Sequence, residues 1–380
     1  MTIVSLIGIL LSLAAFPFAF VNRTPARMGV FMLALAVHAA AAFVYYRTAQ
    51  ATSSDTSLYY FDYYELYREK LRFGTMFVIH FDRFLRDAVG GSYLDHFMIF
   101  QAFGFWGIAL LMRIFEEIYL ELDVPQPRLT YLMLFLPGLQ FWTSSIGKDG
   151  PLFFAIALAI WAVIRLRTRF IALGVGIFVM LLFRPHIALL ALVALSGATI
   201  FDPRTKLYAK LILLALAAVG LVVVAGTIET SMRVNVASAE SIGDFFSRET
   251  SVQKTMGGGT SVIGAPYPIK LLSLLFRPFF FDADGAFGLI ASMENVFILY
   301  IIVLMFRNFR TTMRVAGRVF FLRFAGIFAI TLMLLLSFLY YNVGLGLRQK
   351  MMLMPGLLAY FAAIIAVRQA DRSRAAPSYA

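Results

Sequence analysis

Several basic residues lie in short polar turns between apolar segments, where they could bind an anion. They are Lys148, Arg184, His186, Arg348 and Lys350, and the same turns contain Asp149 and Asn342. Arginine presents a planar fork that matches a phosphate group, and lysine presents a point charge. The alternative is that these side chains reach lipid headgroups or pair with acids. Their grouping in tight turns favours a phosphate-binding site, with Arg277 of a longer loop as a further member.

Asp55 directly follows an early apolar segment, in the stretch SSDTSLYY at 53–60. A carboxylate at the membrane edge could accept a proton from a sugar hydroxyl or hold a divalent cation. On the residues alone, a helix N-cap before Leu58 is the better interpretation, since Asp and Ser are both good caps. Tyr59 and its neighbours could stack on a sugar ring, but an interfacial aromatic belt explains them equally well.

The composition defines the class of protein that must position these residues. The chain has 380 residues, of which 61% are hydrophobic and 14% are charged, and its mean hydropathy is +0.82. Soluble domains contain about 25% charged residues, so the sequence predicts a polytopic membrane protein. Lys and Arg that flank membrane helices explain the net charge of +12, and we expect membrane lipids rather than nucleic acid as their partner. The absence of cysteine excludes disulfides and thiolate metal sites.

Apolar segments along the whole chain predict an all-α fold with about 11 transmembrane segments in a single domain, 1–380. The segments are 3–21, 28–46, 96–112, 129–142, 151–164, 170–183, 187–200, 208–227, 287–306, 319–340 and 351–367. A spanning helix needs roughly 20 apolar residues, and the segments that flank Lys148 and Arg184 are shorter. Their turns could therefore lie below the membrane surface. The residue before a proline is biased away from helix, so Arg184-Pro185 predicts a tight hairpin within 170–200.

The distribution of basic residues predicts the orientation in the membrane. With the N-terminus outside and the hairpin at Arg184, every short basic cluster falls on the cytoplasmic side, as the positive-inside rule requires. The C-terminus is then cytoplasmic, and two long loops, 47–95 and 228–286, lie outside. The first loop carries two amphipathic patterns, one around Tyr60 and one around Phe77, that predict helices lying in the interface.

Four short motifs resemble known membrane proteins of polysaccharide synthesis. The stretch FWTSSIGKD at 141–149, the triplet Arg184-Pro185-His186 and the pattern NVGxxxR from Asn342 to Arg348 resemble motifs of EpsG-like or Wzy-type polymerases. The pattern DxxxY from Asp55 to Tyr59 is similar to the first outer loop of GT-C-type glycosyltransferases. The resemblance implies a GT-C-like fold in the bacterial inner membrane. It also implies transfer of a glycan from a polyprenyl-phosphate or -pyrophosphate carrier to a glycan acceptor on the outer face.

The resemblance also implies roles for individual residues. GT-C enzymes use an early-loop acid as base or metal ligand, which corresponds to Asp55, and Wzy polymerases use outer-loop arginines, which correspond to Arg184, Arg277 and Arg348. The chain has no clear second acidic motif, so a divalent cation, Mg²⁺ or Mn²⁺, is an open alternative. Two other functions also stay open. The chain could be a transporter of a lipid-linked glycan, or a non-catalytic partner in a polysaccharide assembly complex.

Overall fold

The computed structural model describes residues 2–52, 54–61, 72–232, 238, 240, 262, 264–339 and 342–375. This part of the chain folds into helices joined by turns and contains no β-strand. The first nine helices are α1 (Ile3–Leu13), α2 (Phe16–Ala19), α3 (Pro25–Ala51), α4 (Asp55–Tyr60), α5 (Thr75–Val89), α6 (Tyr93–Glu121), α7 (Arg128–Leu132), α8 (Pro137–Trp142) and α9 (Asp149–Ile164). The others are α10 (Leu166–Phe183), α11 (Pro185–Ile200), α12 (Leu207–Met232), α13 (Tyr267–Phe276), α14 (Gly285–Arg307), α15 (Phe309–Arg318), α16 (Phe320–Leu339), α17 (Val343–Lys350) and α18 (Met354–Ala375).

Within the described residues, five helices are long and apolar enough to cross a membrane, namely α3, α6, α10, α14 and α16. A sixth span is possible if α17 and α18, which meet at an angle of 56°, form one broken crossing. The all-helical class and a multi-pass membrane protein are therefore confirmed. The predicted count of eleven spans is not confirmed, because several apolar segments form helices that are too short.

The segment 129–142 shows why the length of an apolar segment does not reveal whether it forms a spanning helix. It consists of α7, one 3-10 turn at Met133–Phe135 and α8. Pro137 is the first residue of α8 and has no backbone N–H to donate, and Leu136 before it is extended, with φ −56° and ψ 125°. The chain therefore cannot form one continuous helix from 129 to 142.

The core of the molecule is built around α6 and α9, which are buried along most of their length. Helix α1 lies against α6 at Gly8, where a Cβ atom would lie only 2.0 Å from the carbonyl oxygen of Met98. Ser5 of α1 and Thr2, the N-cap of α1, each donate a hydroxyl hydrogen bond to Asp95 at the start of α6. These contacts fix the first helix of the chain to the central one.

The two ends of α6 are chemically different. Near its start, Tyr93 hydrogen-bonds Thr56 of α4, with 2.5 Å between the two hydroxyl oxygens. Near its other end, Glu117 accepts hydrogen bonds from Arg113 and Arg169. Arg27 pairs there with Glu116. We call this second region the basic end of the molecule. It contains arginines that the positive-inside pattern grouped on one side of the membrane.

The two long loops, including the amphipathic patterns of the first one, are described in part. The pattern around Phe77 forms α5, and Phe77 packs edge-to-face on Phe183 with 5.1 Å between ring centroids. Helix α4 contains Tyr60, and the rest of that pattern falls in 62–71, outside the described residues. In the loop 228–286, α12 continues to Met232 and α13 covers Tyr267–Phe276, and most of the sequence between them lies outside the described residues.

Candidate functional site

The polar turn between α8 and α9 is buried inside the helical bundle. Thr143, Ser144 and Ser145 are each at most 1% exposed. Their hydroxyls do not remain unpaired, because each donates to a backbone carbonyl of α8, such as Thr143 Oγ1 to Leu139 O at 2.6 Å. The turn therefore satisfies its own hydroxyl groups and can lie below the surface without a large cost.

Two glycines allow the polar turn to lie this deep inside the helical bundle. A Cβ atom at Gly104 of α6 would lie 2.1 Å from the carbonyl oxygen of Thr143, and one at Gly150 of α9 would lie 2.6 Å from the same oxygen. Any larger residue at Gly104 would push the turn away from α6. The close backbone contact sets the position of Lys148 and Asp149, which follow in the chain.

Asp149 is the centre of a charged cluster at the start of α9. Its side chain is 1% exposed and accepts hydrogen bonds from two arginines on other elements. Arg184, between α10 and α11, donates through Nη2 to Oδ1 at 3.4 Å, and Arg348 of α17 donates through Nε to Oδ2. A buried carboxylate is stable only when it is paired in this way. The contacts join residues that are 35 and 199 positions apart in the sequence.

Arg348 also contacts the candidate base. Its Nη1 atom donates to Asp55 Oδ2 at 2.5 Å, and the Asp55 side chain is 56% exposed. The N-cap of α4 is Ser54, whose hydroxyl accepts from the backbone N–H of Thr56. Asp55 is the first residue of the helix, so its carboxylate is not needed as the cap and is bonded to Arg348 instead. One guanidinium thus bridges a buried and an exposed carboxylate.

Lys148 completes what we call the Asp149 cluster, which consists of Asp55, Lys148, Asp149, Arg184 and Arg348. Its Nζ atom donates to Thr75 Oγ1 at the start of α5, at 2.7 Å. Burial, followed by the charges of Arg184 and Arg348, lowers the pKa of Lys148 to about 8. The cluster contains three basic groups and two carboxylates. It therefore has one net positive charge when Lys148 is protonated.

Aromatic rings cover the same region. Tyr59 of α4 is 3% exposed, and its ring lies next to Gly147, where a Cβ atom would be 3.2 Å from the ring. Gly147 has a φ of 147°, a conformation that favours glycine. Burial raises the pKa of the Tyr59 phenol to about 12, so the phenol stays neutral. Tyr45 of α3 stacks on Phe141, with 4.5 Å between ring centroids, and extends this apolar wall.

His186 lies beside the cluster without bonding to it. It is the second residue of α11 and is partly buried. Burial, followed by the positive charges of Arg184 and Lys148, lowers the pKa of its imidazole. His186 therefore lies near the Asp149 cluster, as a neighbour of Arg184 and Lys148.

The structure places three other predicted site residues outside the Asp149 cluster. Arg277 pairs with Asp282 five residues along the chain, with 2.5 Å between Nε and Oδ2. Lys350 is 1% exposed and donates to the side-chain oxygen of Asn295. Asn342 is the N-cap of α17, and its side chain accepts from the N–H of Leu345 at 2.7 Å. Each of these side chains has a partner other than Asp149 that accounts for its position.

Glu294 is a residue that the sequence reading missed. It is 4% exposed and accepts a hydrogen bond from the backbone N–H of Gly138 at 2.6 Å. Among the residues that the structure describes, its other oxygen has no hydrogen-bond partner, and Lys350 is the basic group whose charge acts on this carboxyl. An acid within an apolar segment of membrane length was the available signal. Thr75, Tyr45 and Gly104 carried no comparable signal, since they are ordinary residues of their segments.

The described residues of the cluster do not fit a divalent cation held by them alone. Within the part of the chain that the structure describes, no three His, Asp or Glu side chains group as metal ligands. Both carboxylates of the Asp149 cluster are already bonded to Arg348. Mg²⁺ and Mn²⁺ prefer carboxylate and other oxygen ligands, and these two carboxylates would have to leave the guanidinium first.

The chain matches no family model, no curated protein and no solved structure. The cluster and the membrane helices that contain it are therefore the features from which we infer a function.

Proposed function

We propose that the protein is an integral-membrane glycosyltransferase or repeat-unit polymerase that takes a glycan from a polyprenyl-phosphate or -pyrophosphate carrier. The observation that carries the proposal is the convergence of Lys148, Arg184 and Arg348 around the buried Asp149. Preorganised cations that do not move during the reaction stabilise the charge that develops on a departing phosphate. The net positive charge of the cluster suits an anionic ligand.

The length of α9 supports a site near the headgroup region of a membrane. The helix has 16 residues, so it is about 24 Å long, whereas the hydrocarbon core is about 30 Å thick. If its far end at Arg165 lies at one interface, then Asp149 lies a few ångströms below the other. A lipid phosphate is the anion naturally present near that depth.

In the proposed reaction the groups have separate roles. Arg184 and Arg348 bind the phosphate of the carrier and stabilise it as the leaving group, with Lys148 as a third positive charge. Asp55, the exposed carboxylate, accepts the proton of the acceptor hydroxyl. Tyr59 and Tyr45 provide an apolar wall for the sugar. No step in this scheme runs through a metal ion.

A transfer assay with purified protein and synthetic lipid-linked sugar donors tests the proposal. We expect Arg348→Ala and Arg184→Ala to lose more than about 100-fold in turnover, which is the usual effect of removing one group that stabilises the developing charge. Arg348→Lys should recover little, because lysine cannot reach two partners with a planar fork. The matched control is Arg314→Ala, since Arg314 is exposed on α15. Turnover that is as high in Arg348→Ala and Arg184→Ala as in Arg314→Ala would contradict the proposal.

The alternative of a lipid-linked glycan transporter is favoured by one observation. Glu294, Asn295 and Lys350 form a buried polar group within helices α14 and α17. Ionisable residues at such positions often belong to a transport pathway. A flipping assay in proteoliposomes separates the two functions. A transporter moves a labelled lipid-linked sugar across the bilayer without an acceptor, and Lys350→Met should abolish that movement.

A further inference from the structure

We propose that Asp55 is a built-in competitor for the ligand's phosphate, and that binding of the anion to Arg348 releases the Asp55 carboxylate to act as base. This inference rests on the proposed function for its catalytic half. The competition for Arg348 depends only on the contact between Asp55 and Arg348. Asp55 thus has two effects of opposite sign, since it weakens binding of the anion and promotes the chemical step.

The two carboxylates that contact Arg348 are not equivalent. Asp149 is 1% exposed, bonds the Nε atom and also pairs with Arg184. Asp55 is 56% exposed and bonds the Nη1 atom from the accessible side of the cluster. An incoming anion reaches the guanidinium from that same side. It therefore meets the Asp55 carboxylate at the position it needs.

The two ion pairs of Arg348 differ in the free energy needed to break them, and this difference decides which pair breaks when the anion binds. Ion pairs with an exposed partner contribute little to stability, because water replaces the lost contact. Breaking the pair with Asp149 would leave an uncompensated buried charge, which is costly. Exchange of Asp55 for a phosphate oxygen keeps Arg348 paired throughout and leaves the Asp149 contact in place. The fixed carboxylate thus holds the guanidinium while the exposed one is exchanged.

The hydrogen bonding of the Asp55 carboxylate changes when the phosphate takes its place on Arg348. While bonded to Arg348, its Oδ2 atom already accepts a hydrogen bond from the guanidinium and is not available to the acceptor hydroxyl. After release, both oxygens can accept a hydrogen bond from the acceptor hydroxyl. The hydroxyl proton then passes to Asp55, and the hydroxyl oxygen forms a bond to the anomeric carbon. The bond from that carbon to the phosphate oxygen breaks with its electron pair, which remains on the phosphate beside Arg184 and Arg348.

The first test measures binding of farnesyl phosphate, a short probe with a single phosphate, to purified protein in detergent. Removal of the competing charge in Asp55→Asn should tighten binding at least about threefold, which is the upper part of the effect expected for an exposed pair. Asp55→Ala should behave in the same way. Asp55→Glu keeps a carboxylate and should bind like the natural protein. The matched control is Asp87→Asn on α5, where Asp87 is exposed and pairs with Arg83. This control should leave binding unchanged.

The second test measures transfer with the same variants. Asp55→Asn and Asp55→Ala should lose roughly 10²–10⁴-fold in turnover, as for loss of a general base, although they bind the probe more tightly. Binding that is weaker or unchanged in both variants overturns the competitor role. Tighter binding together with unchanged transfer overturns the release of a base. If the natural protein transfers no glycan but the variants still bind more tightly, the proposed enzyme function fails and the competition for Arg348 stands.

Discussion

At the scale of single residues, Asp149 determines which of the predicted basic residues form one site. The sequence could predict that Lys148 and Arg184 lie near each other, because each lies at one end of neighbouring apolar segments. It could not show which of Arg348 and Lys350, which occupy the same short helix and present different faces of it, belongs to the site. Arg348 meets Asp149, whereas Lys350 meets Asn295. That choice depends on where α14 packs, and no local pattern contains this information.

Under the proposed function, Lys148 makes anion binding by the cluster dependent on pH. Burial and two neighbouring arginines lower its pKa to about 8, so the ammonium loses its proton as the pH rises through that value. Binding of an anion favours the protonated form, so the affinity is highest well below pH 8 and declines as the pH rises through 8. We expect farnesyl phosphate to bind about tenfold more weakly at pH 9.5 than at pH 7, the effect of one charge-assisted hydrogen bond.

The control for this prediction is Lys148→Arg, because arginine keeps its charge throughout this pH range. The decline above pH 8 should disappear in that variant while binding at pH 7 is retained. Titration calorimetry at a series of pH values gives both curves. An identical decline in the natural protein and in Lys148→Arg would mean that another group titrates, and Lys148 would then have no part in the pH dependence.

At the scale of elements, the burial of one turn depends on helices that are distant in the sequence. The sequence could predict a polar turn after 129–142, and it suggested that the turn lies below the surface. Hydropathy did not show that α8 is a separate short helix, although Pro137 was a signal for the break. That α6 presents Gly104 to the turn depends on backbone contact between elements, which no single segment shows.

Gly104→Ala tests the contact between α6 and the turn. The added Cβ would lie 2.1 Å from the carbonyl oxygen of Thr143 and 2.9 Å from Nε2 of His38, so the turn must move. We expect a loss of about 1–3 kcal/mol in the free energy of unfolding, as for other overpacked cores. Displacement of Lys148 and Asp149 should also weaken binding of farnesyl phosphate. Thermal unfolding in detergent and calorimetry measure the two effects.

The matched control is Gly174→Ala on α10. This glycine is also within a helix, but a Cβ atom there has no neighbour within 4 Å. Alanine is the better helix former, so stability should be unchanged or slightly higher. A comparable loss of stability in the two variants would indicate a general sensitivity to helix substitutions, and the specific role of the Gly104 contact would be refuted.

At the scale of the whole molecule, composition and hydropathy were sufficient to predict an all-helical membrane protein. Apolar runs are local, and a helix is the element that satisfies its backbone within one segment of a membrane. The number of spans was not predictable in the same way. Helices α9 and α11 have 16 residues each, and whether such helices cross, stop inside or pair with a neighbour depends on packing. The predicted orientation of the chain therefore needs a direct measurement.

Single cysteines can measure this orientation, because the chain contains no native cysteine. Thr52 follows α3 near the Asp149 cluster, and Arg167 lies beside the other end of α9, at the basic end; both are exposed. If α9 extends across the bilayer, then Thr52→Cys and Arg167→Cys should react with a membrane-impermeant maleimide from opposite sides. The predicted orientation further requires that Thr52→Cys reacts in right-side-out vesicles and Arg167→Cys in inverted ones. Reaction of both from the same side would mean that the cluster and the basic end face one compartment. A reversed pattern would place the Asp149 cluster on the cytoplasmic side, where a transfer at the outer face could not occur.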